Sequence, residues 1–287
     1  MRPAFEDLVP QAYMLPGGVQ LHAVRAGSGD PLVFIHGAMG DWRSWAPQWE
    51  AFTARFDCIS YSRRYSYPND NAMPSPDHGA FHEAQDLVQL LDALHIPRAI
   101  LVGSSYGGFT ALALAVTQPQ RVRALVCIEP PMMKYADLSP QGHAEAQKFR
   151  TQVIAPALAA FRAGDDVRAS HIMTSGIGGA GAPLPSGAAM QRRLQNMRAM
   201  RMLALSSDEF PWISPGQLAA LEMPLLLLSG CDTPAVHAAI FSNLCAHLPQ
   251  ACQQRVAGAG HSVTRDQPAV FNRLALDFLA TAAMSTA

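Results

Sequence analysis

One five-residue segment constrains this chain more than any other. Residues 103–107 read GSSYG, follow the apolar run 99–102 and precede the apolar stretch 109–116. This pattern predicts a buried strand, a sharp turn and a helix, with Ser105 at the apex of the turn. Glycine is needed two positions before and two after the serine, because side chains there would collide with the adjoining strand and helix. The turn would present a serine hydroxyl beside a helix N-terminus.

A second loop ends an earlier strand pattern, LVFI at 32–35, and continues as HGAMG. Acyl transfer develops negative charge on a former carbonyl oxygen, and each backbone N–H donor in a water-poor cleft stabilises that charge by roughly 3 to 4 kcal/mol. We predict that the N–H groups of Ala38 and Tyr106 form this oxyanion hole, Tyr106 being the residue after the serine. The other loop residues predicted to contact substrate are His36, Gly37 and Met39, and we expect His36 to be structural rather than a base.

His261 has the setting expected of a general base. It ends the loop GAGH, which follows a strand pattern at 254–257 and precedes a helical pattern at 268–279. An imidazole there could take the proton of Ser105 during attack and return it to the leaving group. The order of serine before histidine differs from the orders of the two best-known serine protease folds.

Two carboxylates are candidates for the acid that orients the histidine. Asp232 follows the apolar strand pattern LLLLSG, and Glu129 ends the strand pattern ALVCI ahead of two prolines, which lack backbone donors and stiffen the loop. An acid at either strand end could reach the same histidine. We expect whichever is not the acid to be a solvated loop carboxylate or a helix N-cap.

Together these segments resemble the α/β-hydrolase superfamily, specifically an esterase-like branch of serine hydrolases with a helical cap. The resemblance covers nearly the whole chain. It implies a mostly parallel eight-stranded sheet with helices on both faces, a triad of Ser105, His261 and one carboxylate, and no metal or organic cofactor. In the family pattern the acid of the later strand usually stands at the position of Thr233, one residue after Asp232. We therefore favour Glu129 and keep Asp232 as the alternative.

The chain departs from the family pattern at two places. Ser104 stands where histidine is frequent, and YSRRY at 61–65 stands where Asp-x-Arg-Gly-x-Gly is frequent. Arg63 and Arg64 follow a strand, at the edge where open α/β sheets place ligand groups. Arg64 is thus a candidate for binding a substrate carboxylate, with a structural salt bridge as the alternative.

The alternation of strand and helix patterns stops between residues 132 and 215. Helical patterns cover 140–161 and 188–205, and a Gly- and Pro-rich stretch at 176–187 separates them. The segment is rich in methionine, whose flexible thioether suits an adaptable apolar pocket as well as an ordinary core. We interpret it as a helical cap over the active site. The chain then divides into a first core part (1–131), the cap or lid (132–215) and a second core part (216–287).

Composition narrows the partners of the chain. Its 287 residues are 49% hydrophobic, enough to bury both faces of a parallel sheet, and a net charge of −1 gives no basic stripe for nucleic acid. Five cysteines without C-x-x-C spacing suggest neither a zinc site nor a disulfide framework. Since no leader-like or membrane-spanning run is present, we expect a cytoplasmic protein with a small-molecule substrate. We expect no nucleic-acid or membrane partner, and a homodimer is left open.

The leading functional hypothesis is a carboxylesterase or lactonase acting on a small, mostly apolar substrate. The same machinery could hydrolyse a carbon–carbon bond in a diketone, hydrolyse a thioester, or form a peracid without a cofactor. Transfer of the acyl group to another alcohol and ligand binding without turnover are further alternatives. Fold alone does not fix the substrate.

Overall fold

One eight-stranded sheet lies at the centre of the protein. The computed structural model describes residues 4–73, 75, 77–179, 182–206, 208 and 210–284. In chain order the strands are β1 (Gln11–Met14), β2 (Gln20–Gly27), β3 (Pro31–Ile35), β4 (Asp57–Tyr61), β5 (Ala99–Ser104), β6 (Val122–Ile128), β7 (Leu225–Gly230) and β8 (Cys252–Val256). Side by side they run β1-β2-β4-β3-β5-β6-β7-β8. β2 pairs antiparallel with β1 and β4, and all other pairs are parallel. The predicted mostly parallel eight-stranded sheet is confirmed.

Helices surround the sheet and fill the connection between β6 and β7. In chain order they are α1 (Ala46–Thr53), α2 (Ala80–Ala93), α3 (Tyr106–Thr117), α4 (Met133–Ala136), α5 (Pro140–Phe149), α6 (Ala155–Arg162), α7 (Asp166–Gly178), α8 (Gly187–Gln195), α9 (Met197–Leu205), α10 (Pro215–Ala219), α11 (Ala235–His247), α12 (Val263–Asp266) and α13 (Pro268–Met284). None of the helices in the described part of the chain has the length and apolar character needed to cross a bilayer.

The central strands are apolar on both sides because helices cover both faces of the sheet. β3 shows the alternation: Val33 packs into a cluster with α2, α3 and α11, whereas Phe34 packs into another with α1 and α13. In the second cluster, Phe34 stacks on Trp45 with ring centroids 4.7 Å apart. Continuous apolar strands of this kind are typical of parallel sheets buried between two helical layers. The edge strand β1 is mostly exposed, which explains why its sequence gives no clear strand pattern.

The segment between β6 and β7 is helical throughout its described secondary structure, from α4 to α10. The helix predicted at 140–161 consists of α5 and α6, joined by a π-helical turn at Arg150–Ile154. α7 was not predicted, because its sequence contains two glycines, two serines and a threonine, which favour helices weakly. It forms because Ala169 and Met173, one turn apart, pack into a cluster with α6 and α9.

That this segment acts as a lid stays a prediction. The predicted core and cap segments also include residues that lie outside the described part of the chain: 1–3, 74, 76, 180, 181, 207, 209 and 285–287.

The crossing of β3 and α3 leaves no room for a side chain at position 107. A Cβ built on Gly107 would lie 2.0 Å from the Ile35 carbonyl oxygen. We expect Gly107→Ala to lower the free energy of unfolding by about 3 kcal/mol or more, because backbone must move to relieve the overlap. Urea unfolding followed by circular dichroism measures this.

Gly216→Ala is the matched control. Gly216 is exposed in α10, and the nearest atom to a Cβ there is the Ser214 hydroxyl oxygen at 4.0 Å. Alanine at this position should leave stability unchanged or raise it by about 0.5 to 1 kcal/mol. Equal unfolding midpoints for the two variants would contradict the close approach at Gly107.

Candidate active site

Ser105 sits in a strained turn between β5 and α3. Its backbone has φ 53° and ψ −123°, in the left-handed half of dihedral space that residues other than glycine rarely occupy. Two hydrogen bonds hold this conformation: the Ser105 N–H donates to the Ile128 carbonyl at 2.7 Å, and the Gly108 N–H donates to the Ser105 carbonyl at 2.8 Å. The strain is thus sustained by the adjoining strand and helix, as is typical of functional sites.

A continuous hydrogen-bond chain joins Ser105, His261 and Glu129. The Ser105 hydroxyl lies 2.9 Å from His261 Nε2, and His261 Nδ1 lies 2.7 Å from Glu129 Oε2. Since a carboxylate accepts at Nδ1, that nitrogen carries the proton and Nε2 is left to accept the serine hydroxyl proton. Both side chains behind the serine are buried, His261 at 5% and Glu129 at 3% exposure. The arrangement can deprotonate a serine nucleophile.

Glu129 is held as a carboxylate by its partners. Its Oε1 accepts from the Ser229 hydroxyl at 2.7 Å and the Gly230 N–H at 2.8 Å, and its Oε2 accepts from the Thr233 hydroxyl at 2.7 Å. Burial by itself would raise the pKa of Glu129, but the hydrogen bond and charge of His261, with help from Ser229, bring it to about 2. The group therefore stays ionised at neutral pH.

Asp232 does not occupy the position that the sequence left open for it. Asp232 is exposed, and its backbone N–H donates to the Ala259 carbonyl at 2.9 Å. No hydrogen bond or ion pair joins it to His261 within the described residues. Its neighbour Thr233 points to the carboxylate of Glu129 instead, so the structure pairs Glu129, and not Asp232, with the histidine.

The loop after β3 passes directly over the serine. A Cβ built on Gly37 would lie 3.3 Å from Ser105 Cβ, and Ala38 lines the same cavity as Ser105 and Tyr106. Tyr106 is the first residue of α3, so its N–H lies at the positive end of the helix. This geometry suits the predicted oxyanion donors Ala38 and Tyr106, whose roles stay predictions.

Two side chains hold the peptide group that carries the Ala38 N–H. The Gly37 carbonyl, which belongs to that peptide group, lies 2.8 Å from His36 Nδ1 and accepts from Arg63 Nη2 at 3.3 Å. The backbone N–H of Arg63 donates to His36 Nε2 at 3.0 Å. The proton of His36 is therefore on Nδ1 and points to the Gly37 carbonyl. Hydrogen bonds to a carbonyl polarise the whole peptide and make its N–H a better donor.

The four residues predicted to contact substrate do not line the cavity, and each has another place in the structure. They are His36, Gly37, Met39 and Arg64. His36 is fully buried behind the loop, where burial and the positive charge of Arg63 lower its pKa to about 3. Met39 packs beside the α6, α7 and α9 cluster, and Gly37 lies over Ser105 without facing the open space. Arg64 makes a two-pronged salt bridge to Asp86, which is the structural alternative raised from the sequence.

An apolar cavity opens at the serine hydroxyl. Helices between β6 and β7 supply much of its wall. Among the residues that the structure describes, no Lys, Arg, Asp or Glu lines it. The lining residues are Ala38, Ser105, Tyr106, Pro131, Met133, Phe149, Ile154, Ala157, Met173, Ile177, Met200, Leu203, Ala204, Phe210, His237 and His261.

His237 is an ionisable lining residue that the sequence did not identify. It lies in the first turn of α11, and its ring stacks on His261 with centroids 4.1 Å apart and planes 29° from parallel. No motif marks it, because the contact depends on how α11 packs over the histidine loop.

The side chains of Glu129, His237 and His261 lie close enough together to be considered as a metal site. Glu129, His237 and His261 each offer a ligand atom, all within 4.8 Å of one another. Imidazole nitrogens bind metals in the plane of the ring, and stacked rings direct their lone pairs side by side rather than to one point. Both nitrogens of His261 are also engaged by Glu129 and Ser105. The geometry fits a proton relay and does not fit a metal centre.

Two buried neutral histidines should make the fold sensitive to acid. Burial, together with the charge of His261, lowers the pKa of His237 to about 3. Burial also lowers the pKa of His36 to about 3. The unfolded chain takes up these protons near pH 6.5 and the folded chain does not, so stability falls as pH drops below about 6.5. Each histidine contributes up to about 1.4 kcal/mol per pH unit to this fall in the free energy of unfolding.

His237→Phe should remove one of the two contributions. Urea unfolding of wild type and variant between pH 6.5 and 5 measures the slope of unfolding free energy against pH. We expect the slope of the variant to be shallower by up to about 1.4 kcal/mol per unit. Identical slopes would mean that His237 is protonated in the folded protein.

Comparison with known proteins places this geometry in a family. Residues 30–266 match the family described as the alpha/beta hydrolase fold. The chain is 26% identical over 273 residues to a protein of Caulobacter sp. strain K31 with the provisional name carbamate hydrolase RutD, covering 91% of this chain and 94% of that one. It is 27% identical over 282 residues to the 2-hydroxy-6-oxononadienedioate/2-hydroxy-6-oxononatrienedioate hydrolase of Paraburkholderia xenovorans, covering 92% of each.

A solved structure shows the same architecture. The esterase RhEst1 from Rhodococcus sp. ECU1013 superposes with a TM-score of 0.76 and 19% identity, covering 96% of this chain and all of that one. A likeness at this identity concerns the fold alone. With the family match spanning most of the sequence, the chain belongs to the alpha/beta hydrolase fold family.

Proposed function

We propose that this protein is a serine hydrolase that cleaves carboxylic esters, lactones included, of small, uncharged and mostly apolar molecules. The observation that carries the proposal is the hydrogen-bond chain from Glu129 through His261 to Ser105, with the serine hydroxyl at the floor of the cavity. Relatives that carry the names carbamate hydrolase, given provisionally, and 2-hydroxy-6-oxononadienedioate hydrolase support hydrolysis as the reaction class.

The reaction would proceed in two halves. His261 Nε2 takes the Ser105 proton as the serine oxygen attacks the carbonyl carbon, and the carbonyl oxygen becomes an oxyanion facing the N–H groups of Ala38 and Tyr106. The imidazolium, stabilised by Glu129, protonates the leaving alcohol oxygen, and the ester C–O bond breaks to leave an acyl-serine. Water then attacks the acyl carbon while His261 takes its proton. The proton returns to Ser105 as the acid product leaves.

The cavity supports an uncharged substrate. Within the described part of the chain its wall carries no cationic side chain, and Arg64, the candidate raised from the sequence, is bound to Asp86. A carboxylate in this cavity would lose its hydration without gaining a partner. This disfavours a substrate like the dioate named for the Paraburkholderia relative, and it favours uncharged esters.

Single substitutions test the triad. Ser105→Ala should reduce kcat for butyrate esters by about 10⁶, and Glu129→Gln by about 10⁴, because the amide cannot stabilise the imidazolium. Asp232→Asn is the matched carboxylate control and should stay within about twofold of wild type, since its side chain does not contact His261. Steady-state ester hydrolysis measures all three.

A collapse in Asp232→Asn with full activity in Glu129→Gln would overturn the assignment of the acid. Wild-type hydrolysis that persists in Ser105→Ala would overturn the serine mechanism itself.

A pair of substrates tests the charge preference. Ethyl pentanoate and monoethyl succinate place a methyl group or a carboxylate at the end of acyl chains of similar length. We expect kcat/KM for the succinate ester to be lower by at least about 100-fold, because the carboxylate would be buried without a partner. Comparable values for the two esters would contradict the proposed preference for uncharged substrates.

A further inference from the structure

His237 lies at the reacting atoms without belonging to the triad. Its side chain is 5% exposed and lines the cavity beside Ser105 and His261. One face of its ring covers His261, and Phe149 meets it edge-on with centroids 6.0 Å apart. The ring is thus fixed at the wall of the cavity.

The ring carries a polar atom that the protein does not satisfy. His237 Nε2 is buried and has no hydrogen-bond partner within the described residues. His261 cannot supply one, because its two nitrogens already bond Glu129 and Ser105. Phenylalanine would fill this space and stack equally well without an unpaired buried nitrogen, and buried polar groups are otherwise almost always paired. Because the His237 side chain lines the cavity, a polar group of a bound substrate is a candidate partner for this nitrogen.

The surroundings of His237 define what that partner can be. Among the described residues, the charged groups that act on it are His261 and Glu129, and apart from Ser105 and Tyr106 the rest of the wall is apolar. Burial and the charge of His261 lower the pKa of His237, so the ring is neutral at pH 7. A neutral imidazole offers one donor and one acceptor, which suits an uncharged hydroxyl or amide.

The position of His237 indicates which half of the substrate it would meet. His261 gives its proton to the leaving oxygen, so the leaving alcohol lies against that ring, and His237 covers one face of the same ring. We propose that His237 is a specificity-determining residue that hydrogen-bonds an uncharged polar group on the alcohol half of the substrate. The preferred substrates are then esters or lactones whose alcohol carries a hydroxyl or amide a few atoms from the scissile oxygen. This inference rests on the proposed function.

Two nearly isosteric esters test the proposal. In 2-hydroxyethyl butyrate a hydroxyl replaces the terminal methyl group of propyl butyrate. We expect wild type to prefer the hydroxyethyl ester by about 3- to 10-fold in kcat/KM, the effect of one net hydrogen bond. His237→Phe should reduce this ratio to about one or below, because only the hydroxyethyl ester loses a hydrogen bond.

His247→Phe is the control from the same helix. His247 packs against Tyr135 and does not line the cavity, so the substitution should leave the wild-type preference intact. An unchanged ratio in His237→Phe overturns the proposal. An equal loss on both esters also overturns it, since His237 would then act only by holding His261.

Binding to the Ser105→Ala variant separates this inference from the proposed function. Calorimetric titration with the two esters measures the preference without turnover, and a second variant that adds His237→Phe should lose it. A binding preference without any wild-type hydrolysis would overturn the proposed function and support the role of His237. Hydrolysis of both esters with no preference in binding or rate would leave the proposed function standing and overturn the inference.

Discussion

The active-site geometry depends on how closely the backbone of α3 approaches the end of β3. Without a side chain at Gly107, the first turn of the helix lies against the Ile35 carbonyl, and Ser105 is forced into its left-handed conformation between them. The same approach brings the loop after β3 across the serine, so Gly37 and Ser105 are in contact range. A nucleophile and its candidate oxyanion donors are therefore products of one steric constraint.

Burial alone does not decide the charge of the groups around Ser105. Glu129 and His237 are almost equally buried, yet the carboxyl is held ionised and the imidazole neutral. The difference lies in hydrogen bonds: Glu129 has four partners, whereas His237 Nε2 has none within the described residues. The site thus keeps one fixed negative charge behind His261 and a neutral surface beside it. That arrangement favours formation of the imidazolium in the transition state.

The sequence predicted the parts of the site that depend on local pattern. Ser105 and His261 follow from strand, turn and helix signals near each of them, and the structure brings them into hydrogen-bond contact. The sequence favoured Glu129 but left Asp232 as an alternative, because both follow adjacent strands and only side-chain direction separates them. The salt bridge that the sequence raised as the alternative for Arg64 could not be assigned a partner, because Asp86 lies in a helix whose packing the sequence does not specify.

Contacts that form only through tertiary packing could not be predicted from the sequence. The stacking of His237 on His261 joins α11 to a loop that follows the next strand, and no periodicity in either segment indicates it. α7 was missed because its stability comes from burying Ala169 and Met173 rather than from helix-favouring residues. The sheet, by contrast, was predictable, since its central strands are continuous apolar runs that a two-sided helical cover requires.

Glu129 also ties the strand that precedes the long helical segment to the strand that follows it. Its carboxylate bonds Ser229 and Gly230, which end β7, and Thr233 in the loop after that strand. β6 and β7 are therefore joined at their carboxyl ends, whatever lies in the chain between them. This link lets the intervening helices change in length and sequence, and with them the shape of the cavity, while the proton relay keeps its geometry. New substrate ranges could arise on this scaffold by exchange of one continuous piece of chain.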